Sequence, residues 1–404
     1  MNHKRVLCVS YGGGHAAMLA PVIKELEKDS SIEVISLGLT TAKKYFETYG
    51  VSCLGFKDFT FLAEGDWKNI GEILVDKNNT SSLVSIDESI AYMGINMLDL
   101  IERLGPDEAY REFSKKGRQA FLPINFFSSL LKHLSIDLVI TTNSPRSEQA
   151  SVYAAKKLGI KSICLIDLFA LQEYQWIKNN DYADKICVLN NDVKRFLISK
   201  GRNEKDIVVT GNPAFDNINT DGNVVRGHTW RVNKLSEPSL INILYASQPE
   251  PMRHPFCESV VGDPLLPRKV ENWLREIVSS NGAYNLIVRY HPSENVDFIP
   301  GKRTTNGVGD LYEVIHAADI VVTMTSTVGL EAYIAGKKVI TVDLSIFTRD
   351  APYSNMGIST GVMDFDQLKN ALENVVKEPK LANSYRNVDL ALDNVITEVM
   401  SLLS

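Results

Sequence analysis

The stretch that decides the fold lies near the C-terminus and reads Asp319-Ile-Val-Val-Thr-Met-Thr-Ser-Thr-Val-Gly-Leu-Glu-Ala-Tyr-Ile-Ala-Gly-Lys-Lys-Val-Ile-Thr-Val-Asp343. An apolar run, a turn of small residues, a helical stretch and a second apolar run follow one another, which predicts a strand, a helix and a strand of a parallel sheet. The turn offers hydroxyls and backbone N–H groups at a helix start, where an anion is favoured. Glu331 follows one turn later and can accept two hydrogen bonds from a ribose diol. The stretch therefore predicts a nucleotide site.

Size and composition limit the classes of protein to consider. The chain has 404 residues, more than one core usually holds, so two domains are expected. A hydrophobic content of 44% and a charged content of 23% are typical of a soluble globular protein. The net charge of −6 argues against a nucleic-acid partner, which would favour a basic domain. No apolar run approaches the roughly 20 residues of a membrane-spanning helix, which predicts a cytoplasmic protein.

The cysteines give no sign of a metal centre. There are five of them, and their spacing matches no metal-binding pattern: Cys8, Cys53, Cys164, Cys187 and Cys257. Reduced, mostly buried thiols are the expectation for a cytoplasmic chain.

Alternating strands and helices predict an α/β protein of two doubly wound, Rossmann-like domains that face a central cleft. The chain opens with a strand at Arg5–Ser10, a glycine-rich turn, a helix at Ala16–Glu27 and a strand at Ile32–Leu37. A polar stretch rich in Asn, Gly and Asp later interrupts the alternation and is interpreted as a linker. The predicted boundaries are a first domain at 1–216 with a helical insertion at about 84–130, a linker at 217–238, a second domain at 239–384 and a closing helix at 385–404.

In the first domain, candidate residues follow predicted strands, because parallel strands present their carboxyl ends at one edge of a sheet. Gly13 and Gly14 let the backbone approach a ligand, and a neutral His15 can take a proton from a sugar hydroxyl. Other polar residues at strand ends are interpreted as acceptor or sugar ligands: Asn143, Ser144, Arg146 and Asp167. Asp87 and Glu88 open the insertion as a reserve acid or base pair. A ligand-free turn, a capping histidine and solvated carboxylates remain the alternatives.

In the second domain, three strand ends carry the candidates. Pro292 stops a strand and leaves His291 at its carboxyl end, where an imidazole can donate to a phosphate oxygen or assist its departure. The remaining predicted nucleotide ligands follow two other strands: Ser247, Gln248, Thr325, Ser326, Thr327, Gly329 and Glu331. Ordinary helix capping by the hydroxyls is the alternative reading. No metal-binding motif stands at a predicted strand end.

A family resemblance is carried at three places, the last of which is a pair of segments. Gly12-Gly-Gly-His15 resembles the acceptor-side turn of the lipid II-forming N-acetylglucosaminyltransferase, and Val208–Asp216 resembles a segment of that group and of UDP-N-acetylglucosamine 2-epimerases. Arg289-Tyr-His-Pro292 and Thr323–Val339 are similar to the pattern of capsule polysaccharide Kdo transferases. The chain as a whole resembles the GT-B superfamily of nucleotide-sugar enzymes. The resemblance implies that His291, Ser326 and Thr327 meet phosphate and that Glu331 meets the ribose.

The expected function is a metal-independent glycosyltransferase without a cofactor. It would move a sugar from a UDP- or CMP-linked donor to a hydroxyl of a glycan or glycolipid in bacterial surface-polysaccharide synthesis. His15 would be the base, and a peripheral association with the cytoplasmic membrane face is left open. The alternative is a UDP-N-acetylglucosamine 2-epimerase or a nucleotide-sugar hydrolase. The small number of carboxylates near the expected site argues against this alternative. A non-catalytic sugar-nucleotide binding protein is the third alternative.

Overall fold

The computed structural model describes residues 3–75, 84–254, 257–375 and 390–404. The chain divides into two compact units. The first runs to Asp216 and takes in the C-terminal helix, and the second begins at Asn217. Each unit contains a six-stranded sheet in which every pairing is parallel. The predicted α/β class with two doubly wound units is therefore confirmed.

The regular elements of the described residues are numbered along the chain. The strands are β1 (Lys4–Ser10), β2 (Ile32–Gly38), β3 (Leu138–Thr142), β4 (Lys161–Leu165), β5 (Lys185–Val188), β6 (Ile207–Val209), β7 (Ile241–Ala246), β8 (Arg253–His254), β9 (Cys257–Val261), β10 (Tyr284–Arg289), β11 (Thr304–Asn306), β12 (Ile320–Thr323), β13 (Lys338–Val342) and β14 (Thr360–Val362). The helices are α1 (Gly13–Leu26), α2 (Thr41–Thr48), α3 (Trp67–Leu74), α4 (Ile86–Leu104), α5 (Pro106–Lys116), α6 (Ile124–His133), α7 (Ser147–Leu158), α8 (Tyr174–Ile177), α9 (Asn191–Ser199), α10 (Asp221–Lys234), α11 (Leu266–Ser280), α12 (Leu311–Ala317), α13 (Thr327–Ile334), α14 (Phe365–Val375) and α15 (Ala391–Leu403). Short 3₁₀ turns lie at Phe56–Leu62, Gly117–Ala120, Glu204–Asp206 and Pro213–Phe215.

The first unit has a sheet in the order β2-β1-β3-β4-β5-β6, buried on both faces. Strand β1 shows why, since its alternate side chains enter different cores. Leu7 and Val9 pack with the helical insertion, whereas Val6 and Cys8 pack with α1 and α15. A strand covered on both sides is apolar at consecutive positions, as β1 is from residue 6 to residue 9.

The C-terminal helix α15 is fastened to the first unit by Asp216. The carboxylate of Asp216 accepts hydrogen bonds from the backbone N–H groups of Ala391 (3.0 Å) and Leu392 (2.9 Å), at the start of the helix. A carboxylate at that position also complements the helix dipole. Val208–Asp216, which carried one of the family resemblances, thus has a structural role at its last residue.

The helical insertion covers one face of the first sheet. Phe56, Phe127 and Leu131 of this region join Leu7 and Val9 in one buried cluster. Helices α3 and α4 approach so closely that a side-chain carbon at Gly94 would overlap the carbonyl oxygen of Trp67. The insertion is therefore a packed layer that covers this face of the sheet.

The second unit has a sheet in the order β11-β10-β7-β12-β13-β14. The prediction of an irregular linker at 217–238 was wrong, because this segment contains α10, which packs on α12. The contact runs through Gly227, where a side chain would overlap His316, and Trp230 is also buried in α10 and donates a hydrogen bond to the carbonyl of Val308 (3.2 Å). Only three residues of α10 are buried, so the sequence shows no apolar period. Residues 376–389, which include the first five residues of the predicted closing helix at 385–404, lie outside the described residues.

Candidate functional site

The carboxyl edge of the second sheet brings three predicted segments together. Strands β10, β7 and β12 are neighbours and run parallel, so the residues that follow them meet at one edge. These residues are His291 after β10, Ser247 and Gln248 after β7, and Thr325 after β12. A ligand held at this edge would contact segments that lie far apart in the sequence.

His291 is exposed and presents one ring nitrogen as a donor. Its Nδ1 accepts a hydrogen bond from the backbone N–H of Ser293 (3.1 Å) and lies 2.7 Å from the hydroxyl of Ser293. A backbone N–H can only donate, so Nδ1 is the acceptor and the proton of the neutral ring sits on Nε2. The local turn therefore fixes the tautomer that can donate to a phosphate oxygen.

The loop that carries His291 is held by an ion-paired cluster. Glu294 accepts from the backbone N–H of His291 (2.8 Å) and from the hydroxyl of Ser247 (3.0 Å). Arg268 donates both to Ser247 (2.6 Å) and to Glu294 (2.8 Å), and it also pairs with Glu271. The Ser247 hydroxyl is thus engaged in positioning the loop, which is the role that the structure shows for it.

Gln248 and Thr325 form a second fixed pair. The side-chain oxygen of Gln248 accepts from the backbone N–H of Thr325, and its amide nitrogen donates to the Thr325 hydroxyl, both at 2.8 Å. Since Gln248 is only 8% exposed, this double contact locks the turn after β7 against the turn after β12.

Helix α13 begins directly after that turn. Ser326 is its N-cap, and its hydroxyl accepts a hydrogen bond from the backbone N–H of Val328 (3.3 Å). Thr327 is exposed at the first helical position, and Pro292 is exposed beside His291. Gly329 is buried against β12, and a side-chain carbon there would lie 3.0 Å from the methyl group of Thr323, which is a tight contact. Close helix–strand packing explains Gly329 without a ligand.

Glu331 is the most unusual group of this edge. Its carboxyl is largely buried, and one oxygen, Oε2, is buried without a hydrogen-bond partner among the described residues. Burial raises the pKa of Glu331 to about 7, and the opposing charge of Arg289 only partly offsets that rise. An inward-facing oxygen without a partner is suited to accept a ligand hydroxyl.

The first unit builds a corresponding edge from β1, β3 and β4, which are neighbours in its sheet. Helix α1 begins at Gly13, three residues earlier than predicted, so Gly13, Gly14 and His15 form its first turn. No heavy atom outside the local chain comes within 4 Å of where a side chain at Gly13 or Gly14 would start. Nδ1 of His15 is buried and has no partner among the described residues.

Glu148 lies beneath this turn as a fully buried carboxylate. It accepts three hydrogen bonds of 2.7 Å, from the backbone N–H groups of Tyr11 and Ser144 and from the hydroxyl of Thr142. Burial raises the pKa of Glu148, while the nearby charge of His15 and these hydrogen bonds act in the opposite direction. The carboxylate therefore ties the turn after β1 to the turn after β3.

A second pair of acids stands beside it. Asn143 donates to the carboxylate of Asp167 and accepts from its backbone N–H, both at 3.0 Å. Burial and the neighbouring Asp167 together raise the pKa of Glu173, which His15 lowers. His15, Glu148, Asp167 and Glu173 are called here the acid–base cluster. Its presence corrects the expectation that carboxylates are sparse at this edge.

The reserve pair at the start of the insertion is placed differently. Both oxygens of Glu88 accept from the backbone, at Phe56 (2.9 Å) and Lys57 (3.1 Å), so Glu88 caps the 3₁₀ turn there. Asp87 is an exposed residue in the first turn of α4. Neither shares a hydrogen bond with the acid–base cluster in the described part of the chain.

Sequence reasoning missed several of these residues. Glu148, Glu173, Arg268 and Glu294 belong to no motif that marks them in the sequence. A carboxylate three residues after His291 was the one signal available, because that spacing allows Glu294 to close a turn on the backbone N–H of His291.

Two units that each hold a parallel six-stranded sheet are the architecture of the GT-B fold, and the protein has this fold. The UDP-N-acetylglucosamine 2-epimerase of Methanocaldococcus jannaschii superimposes with a TM-score of 0.59 at 15% identity, over 99% of both chains. The epimerase of Neisseria meningitidis bound to UDP-GlcNAc gives 0.57 at 14%, over 98% of this chain and 99% of that one. MurG of Acinetobacter baumannii gives a TM-score of 0.57 at 12% identity, over 98% of this chain and 99% of that one.

These similarities are structural. No family model matches the sequence, and no curated protein matches it significantly. In the described part of the chain, no helix is both long enough and apolar enough to cross a membrane.

Proposed function

We propose that the protein is a glycosyltransferase that uses a UDP- or CMP-sugar and transfers the sugar to a hydroxyl of a surface-glycan or glycolipid precursor. The observation that carries the nucleotide part is Glu331, a buried carboxyl with one unsatisfied oxygen and a pKa raised to about 7. A ribose diol supplies the hydroxyl donors that this oxygen lacks. Nucleotide binding would thus supply the hydrogen bond that Oε2 of Glu331 lacks.

The donor phosphate is assigned to the same edge. Nε2–H of His291 is the donor that the contacts of Ser293 leave available. The hydroxyl of Thr325 and the first N–H groups of α13 add further donors beside it. In this proposal they stabilise the negative charge that builds on the phosphate as the bond to the sugar breaks, a role that a metal ion has in other transferases.

The acceptor chemistry is assigned to the first unit. His15 takes the proton of the attacking hydroxyl, and Glu148 and Glu173 stabilise the imidazolium that results. The effect of the His15 charge on both carboxyls supports this electrostatic link. The reaction balances: the acceptor oxygen bonds to the anomeric carbon, the phosphate leaves with its electron pair, and the hydroxyl proton passes to His15.

A second candidate is a 2-epimerase or hydrolase acting on the same donor. The acid–base cluster favours it, because moving a proton at a sugar carbon or activating water needs acids and bases close together. The pKa values of Glu148 and Glu173 are raised by burial, as a general acid requires.

The test has a binding step and a product step. Melting temperatures of the purified protein are measured with UDP, CMP, GDP and UDP-N-acetylglucosamine, since a ligand of the folded state must raise them. The effective donor is then incubated with and without a lipid or glycan acceptor, and the products are identified. Turnover that requires an acceptor supports transfer. Inversion at a sugar carbon or release of free sugar without an acceptor supports the second candidate. Binding without turnover supports a sugar-nucleotide binding protein.

A further inference from the structure

A cavity of about 240 Å³ lies in the first unit, where the helical insertion meets the loop after β3. Its walls come from α4, α5, the 3₁₀ turn at Gly117–Ala120 and the residues Pro145, Arg146 and Gln149. At roughly 30 Å³ for each water in the liquid, the space equals about eight waters. That is room for one sugar ring or a comparable charged group.

The lining combines an apolar base with a positive rim. Leu100 and Phe121 are buried beneath it, and Arg103, Lys116 and Arg146 contribute three positive charges against the single carboxylate of Glu112. A cavity with an excess of cations attracts an anion, and its apolar base favours the carbon skeleton that carries the anion.

Arg146 is prepared for a ligand more than its neighbours are. Arg103 is paired with Asp99 (2.9 Å) and Lys116 with Glu112. Nε of Arg146, in contrast, is buried without a hydrogen-bond partner among the described residues, and its guanidinium stacks 4.2 Å above the ring of Tyr11. Stacking holds the guanidinium plane while leaving its N–H groups for hydrogen bonds, the arrangement that suits a carboxylate or phosphate.

The backbone at Arg146 supports the same interpretation. Its φ of 72° lies in the left-handed region that non-glycine residues rarely adopt. Such strain persists where the surroundings impose it and is concentrated at ligand sites. The loop is also shared with the acid–base cluster, because Ser144 and Glu148 stand on either side of Arg146 and are joined by a hydrogen bond (2.7 Å).

We infer that this cavity binds an anionic substituent, a carboxylate or a phosphate, on the acceptor. That the anion belongs to the acceptor rests on the proposed function. The presence of an anion site in this cavity does not depend on it. The substrate class becomes an acidic or phosphorylated glycan.

The experiment measures binding of glucuronate, glucose 6-phosphate and uncharged glucose to the full-length protein by calorimetry. We expect one or both anions to bind with a dissociation constant on the order of 1 mM, and glucose to bind at least about tenfold more weakly. The Arg146→Gln variant should weaken anion binding by about tenfold or more. Comparing the two anions separates a carboxylate site from a phosphate site.

Two further variants keep the inference testable if Arg146→Gln fails to fold. Leu104→Trp narrows the cavity from its exposed rim without removing a charge, and it should abolish anion binding. Lys115→Gln removes the same charge from α5 at an exposed position outside the lining, and it should leave binding unchanged.

The inference is overturned if glucose binds as tightly as the anions, if no anion binds the wild type, or if Leu104→Trp binds like the wild type. Failure of the proposed function looks different, because it would appear as no melting shift with any nucleotide while anion binding persists.

Discussion

Glu331 makes the wild-type protein less stable at neutral and alkaline pH than it would be with a neutral side chain. In the folded protein its pKa is about 7, against an ordinary value of 4.5. The folded state therefore binds the proton more tightly than the unfolded chain. The contribution of protonated Glu331 to the stability of the folded state is complete below pH 4.5 and is lost as the pH rises through 7. One pKa unit equals 1.36 kcal/mol, so the loss is about 3 kcal/mol by pH 8.

The perturbation is Glu331→Gln, which keeps the shape of the protonated side chain. Its stability advantage over the wild type should be about 1 kcal/mol at pH 5 and about 3 kcal/mol at pH 8. Urea unfolding at the two pH values measures both differences. Glu276→Gln is the matched control, because Glu276 is an exposed carboxylate of the same unit and should show no such pH dependence.

The same variant should bind nucleotide more weakly, by about tenfold or more, because an ionised acceptor of ribose hydroxyls is lost. Burial of an ionised Glu331 costs stability, but the carboxylate serves nucleotide binding. Its replacement by Gln should therefore raise stability at pH 8 and lower nucleotide affinity. The reasoning is refuted if Glu331→Gln has the same advantage at pH 5 and pH 8, or if its nucleotide affinity matches that of the wild type.

Four other outcomes are expected. Nucleotide binding at pH 6.5 should release up to about 0.7 proton, because hydrogen bonds to the ionised form lower the raised pKa of Glu331, and calorimetry in buffers of different ionisation enthalpy measures it. Arg268→Met should cost about 3 kcal/mol by removing the ion pair of the buried Glu294 carboxylate, whereas Lys269→Met on the same helix should cost under about 1 kcal/mol in urea unfolding. Gly94→Ala should cost about 3 kcal/mol or more in the same assay, since it forces α3 and α4 apart. Glu173→Gln should lower turnover by at least about 100-fold while nucleotide affinity stays unchanged.

Each of these outcomes has a clear opposite. Binding without proton release would show that the ribose does not meet Glu331. Equal costs for the substitutions at Arg268 and Lys269 would remove the ion-paired cluster as a support of the His291 loop. A stable Gly94→Ala protein would contradict the close approach of the two helices. Full turnover with Glu173→Gln would show that Glu173 does not stabilise the imidazolium of His15.

The sequence predicted the elements whose signals are local. The apolar runs of β1 and β12, the glycines before His15 and the Pro292 that follows His291 each act within a few residues, so the positions of these strands along the chain and their ends could be predicted. The same locality explains the error at 217–238. Helix α10 is a polar helix that packs through a glycine and one tryptophan, so its sequence shows no periodic apolar pattern that would predict a helix.

What the sequence determined by itself is the alternation of strands and helices and the polar residues at the strand ends. What only the tertiary structure decided is the state of those residues. Asn143 meets Asp167 across 24 positions, and Asp216 meets Ala391 across 175. Packing by such distant segments decides which carboxylates accept hydrogen bonds from the backbone, as Glu88 does. It also decides which keep an oxygen without a hydrogen bond, as Glu331 does. Desolvation depends on everything that surrounds a group, and only the folded chain supplies those surroundings.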